Sequence, residues 1–184
     1  MNLNTLKTFR QQVYGCMERR ADALFSVCDG LLSEPQARSL PELAHSPFFE
    51  RQWPSVYAAL ADGKMNLDEL RALCVRSVLE EMPADALVWI AVDATPQERP
   101  EAQTSEDRGS IHVSNLPLAD KPISIGWMFS VVGLLLEQAS SWVPPLDLQR
   151  KSLEQTAVGV AIDQLRRRRP LFGTRRVIVV ADRW

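Results

Sequence analysis

The sequence predicts an α+β protein, in which a helical N-terminal region precedes a mixed sheet. Two observations carry this. Over residues 1–85, apolar side chains recur at three- and four-residue steps, the spacing of one helix face. Beyond them lie two short runs, Leu87-Val88-Trp89-Ile90-Ala91-Val92 and Val177-Ile178-Val179-Val180-Ala181. Both are continuously apolar and rich in β-branched residues, as in strands buried on two faces. The expected domains are a helical one over residues 1–85 and a sheet-bearing one over residues 86–184.

Each element has its own local reason. Leu3, Leu6, Phe9, Val13, Met17, Ala21, Leu24, Val27 and Leu31 keep a helical step without interruption. They predict one long amphipathic helix, stopped near Leu32 by Ser33-Glu34-Pro35. Pro41 suits the first turn of a short helix over residues 41–44. Another helix over 54–61 stops at Asp62-Gly63. Asn66 can cap the next, with Glu69 in the capping-box position, and Pro83 closes that segment. After the first apolar run, residues 95–120 read as a long polar loop with a short strand near 110–113. Two strands follow, at 126–136 and 141–148, around a turn at 137–140. Pro144-Pro145 confine the second of these to an edge. Ser152 and Gln155 form another capping box, opening a helix with Leu153, Ala157, Val160, Ala161 and Leu165 on its apolar face. Pro170 ends it.

Composition narrows the class. Hydrophobic residues are 46% of the chain, enough for a packed core. Three cysteines, Cys16, Cys28 and Cys74, without CxxC spacing, argue for reduced thiols filling core positions rather than a disulfide framework or a zinc site. The longest apolar stretch, near 131–136, is too short to span a bilayer. The expectation is a cytoplasmic protein with no membrane partner. Charge is unevenly spread: residues 150–184 hold nine Lys/Arg against three Asp/Glu, whereas residues 1–149 hold twelve against twenty. A basic end on an acidic chain suggests a polyanion near Arg166, Arg167, Arg168, Arg169, Arg175 and Arg176; a solvated helix face is the plainer alternative.

The chemistry follows from the order strand, strand, strand, helix, strand. A helix before the last strand is a crossover, which returns the chain parallel to the sheet. If the last strand lies beside the first, their C-terminal ends are neighbours about 4.8 Å apart. Asp93 and Asp182 follow those strands directly, so their carboxylates would face one point. Such a pair suits a hard divalent cation and phosphodiester chemistry. Either Asp could equally be a turn or capping residue. His45 and His112 are weaker candidates, expected to be ordinary loop histidines. A helix-turn-helix over 39–60 is a further alternative, disfavoured by its long connection.

Spaced blocks extend this reading. They are Asp22-Ala23-Leu24-Phe25, Cys28-Asp29-Gly30-Leu31-Leu32, Arg38-Ser39-Leu40-Pro41-Glu42-Leu43 and Ser55-Val56-Tyr57-Ala58-Ala59-Leu60. Ile90-Ala91-Val92-Asp93-Ala94-Thr95, Asp120-Lys121-Pro122-Ile123 with Gly126-Trp127, and Val179-Val180-Ala181-Asp182-Arg183-Trp184 complete them. In these blocks the sequence resembles the DDE-type insertion-sequence transposases, the DDE superfamily endonucleases. The resemblance implies a partial ribonuclease-H-like sheet that cleaves and joins DNA with Mg²⁺ or Mn²⁺. It gives Asp93 and Asp182 the places of the first two catalytic, metal-holding aspartates. The family's third acid, a glutamate on a later helix, has no counterpart here. The expectation is therefore an N-terminal portion, truncated before that acid, which holds metal weakly and does not cleave DNA alone. Its expected partners are DNA, a full-length transposase or a separate C-terminal half, and further copies of itself. The alternative is a non-enzymatic DNA-binding or regulatory derivative.

Overall fold

The computed structural model of the chain describes residues 2–49, 51–113, 123–136 and 143–181. The chain divides into two compact units, Met1–Leu73 and Cys74–Trp184.

The first unit contains α1 (Leu3–Gly15), β1 (Met17–Arg19), α2 (Ala21–Ser33), α3 (Leu40–Ala44), α4 (Pro54–Asp62), β2 (Lys64–Met65) and the start of α5 (Leu67–Glu80). The long helix expected from Leu3 to Leu32 is thus two helices. Between them β1 pairs antiparallel with β2, setting Met17 opposite Met65 and Arg19 opposite Lys64. The Asn66 amide donates to the Cys16 carbonyl at 2.7 Å beside this ladder. Arg20 then turns the chain into α2 with a left-handed φ of 55°. Local periodicity runs through the break, so only the pairing partner reveals it. Asn66 caps α5 as expected, and Ser39 caps α3. Ser39 Oγ accepts from the Glu42 amide while Glu42 Oε2 accepts from the Arg38 amide at 2.8 Å. Asn66 Oδ1 accepts from the Glu69 amide at 3.0 Å. Ala23, Val27, Leu43, Phe49, Val56 and Ala59 form the core of this unit.

The second unit takes the rest of α5 and adds β3 (Val88–Glu98), β4 (Gly109–His112), β5 (Ile123–Leu135), β6 (Pro145–Arg150), α6 (Ala157–Arg168), a 3₁₀ turn at Arg169–Phe172 and β7 (Val177–Ala181). The sheet order is β4-β5-β3-β7, with β6 also paired to β5. β3 and β5 run antiparallel, and β3 and β7 run parallel through the α6 crossover. The result is a mixed α+β unit consistent with a ribonuclease-H-like sheet. Val75, Leu79, Val88, Ile90, Val92, Val132, Leu134, Leu146, Ala161 and Phe172 pack as its core. So one sheet face is covered by the end of α5 and by α6.

Several boundaries move. β3 does not stop at Val92 but continues to Glu98, because β5 pairs with it residue by residue as far as Glu98↔Gly126. Pro96 lies within this register, opposite Met128. α6 is capped by Thr156, whose Oγ1 accepts from the Gly159 amide at 3.0 Å, and not by Ser152. The Ser152 amide instead donates to Gln155 Oε1 at 3.0 Å in the turn before it. The turn expected at 137–140 lies outside the described residues.

Candidate functional site

Side chains alternate across a strand, so the burial of Val88, Ile90 and Val92 under α5 and α6 sends Trp89, Ala91, Asp93, Thr95 and Gln97 to the opposite face. Asp93 is therefore not at a strand end, as the sequence suggested, but midway along β3 on the uncovered face. Its side chain is held locally: Oδ1 accepts from the Ala94 amide at 2.8 Å and Oδ2 from Thr95 Oγ1 at 3.4 Å. Among the described residues no cation pairs with it. Parallel pairing with β7 sets Ala91 opposite Val180 and Val92 opposite Ala181. Asp182, the next residue, lies outside the described residues. Among the described residues no three His, Cys, Asp or Glu side chains converge as a metal cluster.

The arginines separate into different environments. Arg168 is buried, 5% exposed, and its Nε donates to Asp147 Oδ2 at 3.1 Å; Asp147 is 3% exposed. Beside this pair, Gln164 Nε2 donates to the Ser130 carbonyl at 3.2 Å. Arg168 is thus a core residue that pins α6 to the sheet, and its guanidinium is not presented to a polyanion. This corrects its place among the expected phosphate contacts: the i, i+4 step from Gln164 puts it on the buried stripe of the helix. Arg167 donates to Gln149 Oε1, Arg166 lies 3.9 Å from Asp163, and Arg169 donates to the Gly173 carbonyl at 2.9 Å. Arg175 reaches the Leu79 carbonyl at 3.4 Å, and Arg176 is exposed. His45 and His112 are also exposed.

Sequence reasoning missed the remainder of the Asp93 face. The register places Val131 opposite Asp93, Phe129 opposite Thr95 and Trp127 opposite Gln97. Across the next ladder, Leu148 is opposite Val131 and Arg150 opposite Phe129. Trp127 and Arg150 therefore share the face of Asp93. The Arg150 guanidinium lies 5.7 Å from the Trp127 ring centre and 3.3 Å from Asp107. Trp127 Nε1 donates to the Glu106 carbonyl at 2.9 Å. Arg108 fastens the same loop by donating to the carbonyls of Arg99 and Pro100, at 3.1 and 2.5 Å. Gly126, one residue before Trp127, is required by close backbone approach: a Cβ there would meet the Gln97 carbonyl oxygen at 2.1 Å. The signal was present in Gly126-Trp127, but nothing in the sequence revealed which face the indole takes.

The helical unit has a separate concavity beside Phe25. Arg10 lies 4.7 Å over that ring and pairs with Asp29 at 2.6 Å, which raises the guanidinium pKa. Tyr14 donates to Asp22 at 2.6 Å, a bond that raises the phenol's pKa. Burial raises the Cys28 thiol. These carboxylates are already engaged within the unit.

A sheet with a parallel β3–β7 pair and a crossover helix behind it defines a mixed α+β, ribonuclease-H-like class of fold. The sequence matches the DDE superfamily endonucleases over residues 12–184, and the chain belongs to that family. No curated protein matches it. Membership assigns the chain to transposase- or nuclease-type proteins, which act on DNA and generally use divalent metals. Among the described residues no helix is long and apolar enough to cross a membrane.

Proposed function

We propose that Asp93 and Asp182 jointly hold a divalent cation, and that the chain uses this site on DNA phosphodiesters. The observation that supports the reading most is the parallel register of Val92 with Ala181, the residues immediately before the two aspartates. One further step of that register would set Asp182 beside Asp93, about one strand spacing away. The donor chemistry fits: Asp93 is exposed, unpaired with any cation among the described residues, and offers carboxylate oxygens, which Mg²⁺ and Mn²⁺ prefer. When bound, the metal would supply Lewis-acid polarisation of a phosphoryl oxygen and a more acidic water. The chain's own part is to fix the Asp93 rotamer through Ala94 and Thr95 and to keep that face open to a strand.

The same reading gives the exposed arginines of the α6 end, Arg166, Arg167, Arg169 and Arg176 with the half-buried Arg175, a sequence-independent grip on phosphate. Arg168 has no part in it. Mn²⁺ titration followed by electron paramagnetic resonance tests the metal site directly. Asp93→Asn and Asp182→Asn should each weaken Mn²⁺ binding relative to the unaltered chain. Binding that is unchanged in either variant would refute the shared site. DNA binding that persists without any response to metal would favour the non-enzymatic regulatory reading.

A further inference from the structure

Asp93 divides its sheet face into two unlike halves. Toward the start of β3 the face is apolar, carrying Trp89 opposite Ile178 and Ala91 opposite Val180. Toward its end lie Thr95, Gln97, Trp127 and Arg150. The second half joins a large π-surface to a fixed cation. Trp127 is held by its indole N–H bond to the Glu106 carbonyl, and Arg150 stands over its ring. Arg150 remains 40% exposed in its side chain, and its pairing with Asp107 is a single surface contact at 3.3 Å. A surface ion pair of this kind is weak, so a phosphate can compete for the guanidinium.

From this placement we propose that Trp127 and Arg150 form the platform for a DNA single strand leading to Asp93. Arg150 grips a backbone phosphate, and Trp127 stacks on the neighbouring base. Stacking is tolerant of sequence because every base has a π-face, and an adjacent arginine is the usual companion of such a platform. Two strand spacings separate β6 from β3, so a phosphate on Arg150 and one at Asp93 would be about one to two nucleotides apart. The inference rests on the proposed Asp93 site for its direction, but its residues are independent of the metal.

The test uses the full chain, a fluorescein-labelled oligothymidine and a duplex of equal length. Arg150→Gln should weaken oligothymidine binding and reduce the salt slope by about 0.7, the contribution of one phosphate on a single strand. Trp127→Ala should weaken it about five- to hundredfold, with Trp127→Phe recovering most of the loss. Arg150→Lys should keep the salt slope, which separates charge from fold. The duplex, whose bases are already stacked, should be far less sensitive to Trp127→Ala. The proposal is overturned if Arg150→Gln and Trp127→Ala bind oligothymidine as the unaltered chain does. Equal losses on oligothymidine and duplex would also overturn it, as would failure of Trp127→Phe to recover binding. Mn²⁺ affinity is read on the same variants. If Asp93→Asn leaves it unchanged, the metal reading fails while the strand platform stands or falls on oligothymidine binding alone.

Discussion

The two faces of the five-stranded sheet are built from neighbouring residues of the same strands, yet they solve opposite problems. The face under α5 and α6 buries Val88, Ile90, Val92, Val132 and Leu134, and even its charges are internal: Arg168 is sealed against Asp147. The opposite face leaves Trp89, Ile178 and Val180 at 37–45% exposure and keeps Asp93 open. An arginine on the first face is therefore architecture, whereas Arg150 on the second remains available to a ligand. Counting basic residues along the chain cannot make this distinction; strand register can.

The sharpest way to break the comparison is to remove the internal charge. Arg168→Ala should destabilise the protein by about 3–5 kcal/mol, because it removes the cation from a buried ion pair with the Asp147 carboxylate. Urea denaturation checks this, with Arg166→Ala as the exposed control, expected within about 0.5 kcal/mol of the unaltered chain. If the two variants lose the same stability, the division of roles along α6 is wrong. Gly126→Ala comes next. Its Cβ would collide with the Gln97 carbonyl, and only a shift of the β3–β5 ladder relieves it. We expect a loss of about 1–3 kcal/mol by the same measurement.

A third prediction concerns the open face itself. β7 is paired on one side with β3 and exposes Ile178, Val179 and Val180. Exposed apolar strand edges recruit further strands, so the chain should self-associate at high concentration. Val180→Lys, on the open face opposite Ala91, should reduce that association in analytical ultracentrifugation while changing stability by no more than about 0.5 kcal/mol. Undiminished association would place the contact elsewhere.

What was legible in the sequence was whatever local chemistry decides. The Asn66 cap, the apolar runs of β3 and β7 and the α6 crossover all follow from nearby residues. What was hidden depended on partners distant in sequence. The α1–α2 break needs Met65 and Asn66 to pair with Met17 and Cys16, and the apolar step from Val13 through Met17 to Ala21 conceals it. Asp93 looked terminal because the apolar run stops at Val92 and the polar stretch from residue 95 reads as loop; pairing with β5 carries the strand on to Glu98. Arg168 looked like its three basic neighbours because composition carries no information about which side of a helix faces the sheet. Trp127 and Arg150 are 23 positions apart in the numbering of the chain, and only the β5–β6 register brings them to one face.

The smallest expected effect belongs to the helical unit and tests whether local chemistry is as separable as this contrast implies. The Glu42 carboxyl is held below its ordinary pKa, first by accepting from the Arg38 amide and then from Ser39 Oγ. A carboxyl whose folded-state pKa is depressed stabilises the fold in its ionised form. That contribution is fully present above the unfolded-state pKa and is lost as pH falls through the lower folded-state value. The α3 cap should therefore hold at neutral pH and weaken on acidification below the ordinary glutamate range. Glu42→Gln keeps the shape and a weaker acceptor but removes the ionisation. Thermal unfolding of this variant against the unaltered chain should show a small deficit at pH 7 that narrows toward pH 3. A deficit that grows on acidification would mean that Glu42 acts through something other than its charged cap. Because Leu43 anchors α3 in the helical unit's core and Glu42 belongs to neither proposed site, oligothymidine and Mn²⁺ binding at neutral pH should be the same in Glu42→Gln as in the unaltered chain.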